Sequence, residues 1–63
     1  MPSDETRHVL RAFGVAVTTY EDALQGGASP EAMTAAAAEL ELRLREVTAL
    51  IDRLRRTASI SRA

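Results

Sequence analysis

A chain of 63 residues with no cysteine and a formal net charge of −1 has room for one small domain, too short to hold itself together by core burial alone. The lack of cysteine rules out disulfides and thiolate metal sites, and one histidine builds no metal centre, so neither metal nor cofactor is expected. Near-neutral charge with Phe13 and Tyr20 as the only aromatics argues against nucleic acid, and the absence of any apolar run of about 18–20 residues argues against a membrane span. With an acidic start, Met-Pro-Ser-Asp-Glu, where a signal peptide would be basic, a cytoplasmic location is expected.

The first helix is expected over about residues 4–25. Ser3 supplies the N-cap, and Asp4 and Glu5 complement the positive end of the helix dipole. Leu10, Phe13, Val17, Tyr20 and Leu24 then recur at alternating steps of three and four, flanked by Val9, Ala16 and Ala23. Gly14 lowers helicity, and the run Val15, Val17, Thr18, Thr19 is β-branched. A strand is nevertheless rejected, because the apolar period is 3.5 rather than 2 and nothing else in the chain would pair with it.

Gly26-Gly27 ends this helix, and the turn spans residues 26–29. Ser29-Pro30-Glu31 reads as N-cap, first helical residue and first-turn acid, so the second helix is expected over about residues 30–57 with a frayed tail at 58–63. Along it Met33, Ala37, Leu40, Leu44, Val47, Ile51, Leu54 and Ala58 form an unbroken heptad seam. So short a turn makes the helices antiparallel neighbours, and folding about Gly27 brings residues whose numbers sum to about 57 level with one another. Leu10, Phe13, Val17 and Leu24 are therefore expected to meet Val47, Leu44, Leu40 and Met33 inside the hairpin, and Tyr20 to meet Ala36 and Ala37. The same register brings Asp4 and Glu5 beside Arg53, Arg55 and Arg56, while Glu39–Arg43, Glu41–Arg45 and Asp52–Arg56 are spaced for i,i+4 ion pairs.

Two helices cannot cover so broad a face. Val9, Ala16, Ala23, Ala36 and Leu50 lie beside the seam, where a second hairpin would cover them, so the expected fold is all-α, a hairpin dimerising into a four-helix bundle. The interface is expected to comprise Val9, Leu10, Phe13, Ala16, Val17, Tyr20, Leu24, Met33, Ala37, Leu40, Leu44, Val47, Leu50, Ile51 and Leu54.

His8 falls on the solvent side of helix 1. The text from it, His8-Val9-Leu10-Arg11-Ala12-Phe13 and then Ala16-Val17, Tyr20 and Leu24, resembles the first helix of the dimerisation and histidine-phosphotransfer domain of sensor histidine kinases, which opens His-Glu-Leu-Arg-Thr-Pro-Leu. Arg45-Glu46-Val47-Thr48-Ala49-Leu50-Ile51-Asp52-Arg53-Leu54, followed by Ala58-Ser59-Ile60-Ser61-Arg62, is similar to that family's Leu-Val-Asp-Asp-Leu and Ala-Arg-Leu-Ser segments. The resemblance implies a dimeric antiparallel hairpin with His8 as phosphoacceptor. It also implies a receiver or kinase domain as partner, docking near Ala12, Val15 and Thr19.

Two departures bear on that chemistry: the family's acid after the histidine is Val9 here, and its helix-bending proline is Phe13. An attacking imidazole nitrogen needs the proton on the other nitrogen held, which Val9 cannot do; Asp4, one turn earlier, is the candidate orienting acid. The sequence contains no Gly-rich phosphate loop, so phosphate would reach His8 from another protein. The expected role is non-enzymatic and acts through protein contacts. The alternative is a small antitoxin or assembly subunit that lays the helix 2 seam against a larger protein.

Overall fold

Two serines start the two helices. In the computed structural model, which describes residues 3–62, Ser3 is extended (φ −73°, ψ 165°) and its Oγ accepts a hydrogen bond from the Thr6 N–H at 3.1 Å. Helix α1 runs from there over Asp4–Gln25, with both expected acids in its first turn. Ser29 repeats the device, its Oγ accepting from the Ala32 N–H at 3.2 Å, and Pro30 opens helix α2, Pro30–Arg62. Pro fits there because the first helical N–H has no partner to lose.

Between them the chain makes a Schellman turn. The Ala28 N–H donates to the Ala23 carbonyl at 3.0 Å and the Gly27 N–H to the Leu24 carbonyl at 3.4 Å, with Gly27 at φ 67°. A side chain at that φ is strained, so Gly27→Ala is expected to destabilise by about 1 kcal/mol. Gly14→Ala is expected to do the opposite, by about 0.5–1 kcal/mol, because a Cβ there meets nothing within 4 Å and the position is helical. Thermal melts of the two variants, displaced in opposite directions from the parent, check both.

The β-branched run stays helical, as its period requires. Thr18 spends its hydroxyl on the Gly14 carbonyl at 2.9 Å, as Thr34 does on Pro30 at 2.9 Å and Thr57 on Arg53 at 3.0 Å. The end of α2 differs from expectation: the helix continues through residues 58–62, and only Ala63 of the expected tail lies outside the described residues. Nothing between Thr57 and Arg62 breaks a helix.

The helices pack antiparallel into a rod of 51 × 19 × 13 Å. At 1.5 Å per residue, the 22 residues of α1 reach about 33 Å and the 33 of α2 about 50 Å, so the end of α2 projects beyond its partner. The expected register holds at the open end, where Arg53 donates to Glu5 across the hairpin at 2.9 Å. No helix among the described residues is long and apolar enough to cross a membrane.

The rotation of the helices differs from expectation. Val9, Ala16 and Leu50, which the seam reading leaves for a second hairpin, and Ala36, which it also sets opposite Tyr20, are the buried residues of this one among the described residues. Phe13, Tyr20, Met33, Ala37, Leu40 and Val47 are half-buried, whereas Leu10, Val17, Leu24, Leu44, Ile51 and Leu54, expected inside the hairpin or its dimer, are exposed. The physical reason is close approach. Alanines at 16 and 36 let the backbones come together along a line of small side chains, and this turns the bulkier stripe to one flank.

Candidate functional site

The hairpin has two unlike flanks, and the helical screw sorts residues between them. At 100° per residue, Leu10, Val17 and Leu24 lie on one side of the buried line through Val9 and Ala16, and His8, Ala12, Val15 and Thr19 lie on the other.

On the first flank, Leu10 is 51% exposed, Leu24 58%, Leu44 50% and Ile51 45%. With the half-buried Phe13, Tyr20, Leu40 and Val47 they make a continuous apolar strip along both helices. Beside it a shallow hollow of about 630 Å³ opens on α2, lined by Leu44, Thr48, Ala49 and Ile51 and edged by Arg45, Asp52 and Arg55. Isolated exposed leucines are common on protein surfaces, but a strip at heptad spacing on two adjacent helices is not.

On the second flank, His8, Arg11, Ala12, Val15, Ala16 and Thr19 of α1 face Ala36, Glu39 and Arg43 of α2 across a groove of about 320 Å³. The structure thus brings His8 together with the three residues proposed to surround it. Arg43 forms the groove's far wall, donating from Nε to Glu39 at 2.8 Å and from Nη1 to Glu46 at 3.0 Å. Glu46 first, then Glu39, hold its pKa above the ordinary arginine value by these hydrogen bonds. Spacing by four pairs Arg43 with Glu39, and spacing by three pairs it equally with Glu46.

Of the other expected pairs, Asp52–Arg56 forms, while Glu41 and Arg45 make no ion pair among the described residues. Asp4 and His8 are exposed, and no hydrogen bond joins them. Glu5 is the residue of that first turn that reaches an arginine. No group of three or more His, Asp or Glu side chains among the described residues is placed to hold a metal ion.

Fold and surface together define an all-α helical hairpin with an uncovered apolar flank and a polar, histidine-bearing one. Compared with protein-family models, curated proteins and solved structures, the chain matches none of them.

Proposed function

We propose that this chain is a homodimerising interaction module, non-enzymatic, in which the apolar flanks of two hairpins close on each other as a four-helix bundle. The observation that carries this reading is surface area. The hairpin exposes 4997 Å², whereas a compact monomer of 6.8 kDa is expected to expose about 4,000 Å². The excess of about 1,000 Å² is close to the roughly 800 Å² per partner of a standard stable interface. The same excess appears in shape: a radius of gyration of 15.1 Å, against about 11 Å expected for a compact chain of this length.

Sedimentation equilibrium tests the reading. A folded species of twice 6.8 kDa at micromolar concentration is expected. A poorly helical monomer overturns it and favours the helix-in-groove alternative, in which α2 lies against a larger protein.

The polar flank supports a second role, consistent with the resemblance to histidine kinase dimerisation domains. Dimerisation through the apolar flank leaves His8 uncovered, beside Ala12, Val15 and Thr19. In that role an imidazole nitrogen attacks the phosphorus of an aspartyl phosphate on a receiver domain. The P–O bond to the carboxylate breaks, the carboxylate leaves, and the imidazole proton passes to solvent. Incubation with a phosphorylated receiver is expected to put acid-labile phosphate on the parent chain and none on His8→Gln. Equal labelling of both, or of neither, contradicts the role without touching dimerisation.

A further inference from the structure

Charge is divided along the length of this hairpin. The turn half, residues 12–42, carries five acids (Glu21, Asp22, Glu31, Glu39, Glu41) and no base, a net −5. The open half carries eight arginines against four acids, a net +4. Antiparallel folding does not mix these populations, because each half contains one segment from each helix: the end of α1 and start of α2 at the turn, the start of α1 and end of α2 at the opening.

Internal ion pairs do not cancel the division. Glu5–Arg53 and Asp52–Arg56 lie wholly in the open half, and only Arg43–Glu39 reaches across. Glu21, Asp22, Glu31 and Glu41 make no ion pair among the described residues, and neither do Arg7, Arg11, Arg45 and Arg55. Glu21 and Asp22 sit close to the C-terminal end of α1, where the helix dipole also disfavours them and no base stands in the last turn.

Two hairpins can join their apolar flanks with turns at the same end or at opposite ends. The first places −5 on −5 and +4 on +4; the second places each acidic half on a basic one. We infer that this chain associates with a second copy of itself turn to opening, each projecting α2 end lying on the acidic turn of the other. The inference rests on the self-association proposed above and adds its orientation.

Apolar matching agrees with it. A two-fold axis at about the level of Phe13 and Leu44 brings Leu54 level with Leu24 of the second copy, by 1.5 Å rise per residue. These residues are 53% and 58% exposed, and Leu54 lies level with the very start of α1 in its own hairpin. With turns at the same end, the two projecting α2 ends would instead lie side by side, with like-charged arginines inside a Debye length of about 10 Å.

The chain contains no cysteine, so a single nitroxide label reports orientation cleanly. Gln25→Cys places it on an exposed residue at the turn. For the labelled full chain, dipolar electron resonance is expected to give an intermolecular distance of about 40 Å, the separation of turns at opposite ends of the bundle. Turns at the same end would lie within about 25 Å, since neighbouring helix axes are 8–10 Å apart. A dimer by sedimentation with the short distance overturns the orientation and leaves self-association standing. A monomer by sedimentation, with no intermolecular distance, overturns both.

Discussion

Ile51→Glu is expected to weaken self-association at least about 100-fold, while Leu42→Glu on the same helix changes it less than about threefold. In the free hairpin the two residues are almost equally exposed, 45% and 44%. Exposure alone therefore predicts equal effects. They differ in direction: Ile51 lies on the apolar flank and borders the hollow on α2, whereas Leu42, at 100° per residue, lies on the side of α2 away from that strip. A symmetric dimer loses the apolar contact twice and must also desolvate two carboxylates, so about 3 kcal/mol is a conservative total, or about 100-fold. Sedimentation of both variants over a concentration series gives the ratio directly. Equal weakening by the two would mean that the apolar strip has no special role.

Leu50→Ala is expected to act on the hairpin itself. Leu50 is 4% exposed, the largest of the four side chains buried among the described residues, and its truncation leaves a hole that the rigid helix pair closes only in part. The expected cost is about 2–4 kcal/mol per chain, against a total of roughly 3–5 kcal/mol for a domain of this size. Helical circular dichroism of this variant should fall at every concentration. Ile51→Glu instead should lower helicity at low concentration and let it return as concentration rises, because it weakens association and spares the contact within each hairpin. The two neighbours in sequence thus separate loss of the contact inside the hairpin from loss of the contact between copies.

That distinction marks what the sequence carries and what it withholds. Caps and turns are local, so Ser3, Gly27, Ser29 and Pro30 could be placed from side-chain chemistry alone, and the turn then set the register that joins Glu5 to Arg53. Rotation about each helix axis is not local. A heptad stripe says that Leu10, Val17, Leu44 and Ile51 need cover, but not whether the neighbouring helix or a second molecule provides it. The answer depended on Ala16 and Ala36, whose small size allows close approach but whose hydrophobic signal is weak. Extension of α2 to Arg62 is less legible because chain ends ordinarily fray, although no residue there stops a helix.

On the polar flank, heptad phase was enough to put His8 at the surface, and one helical turn was enough to place Ala12, Val15 and Thr19 near it. The groove's opposite wall was less legible, since it needs the rotation of α2 as well as its register. Asp4 illustrates the limit of spacing rules. It has the i,i+4 relation to His8, yet no hydrogen bond joins the two side chains.

Folding and self-association are proposed to be one event, since the four side chains buried among the described residues cannot hold a hairpin that leaves its leucine strip in water. Thermal unfolding followed by circular dichroism, from about 1 to about 100 μM, tests this most directly: mass action requires the melting temperature to climb with concentration. A cooperative melt at one fixed temperature across that range would contradict it.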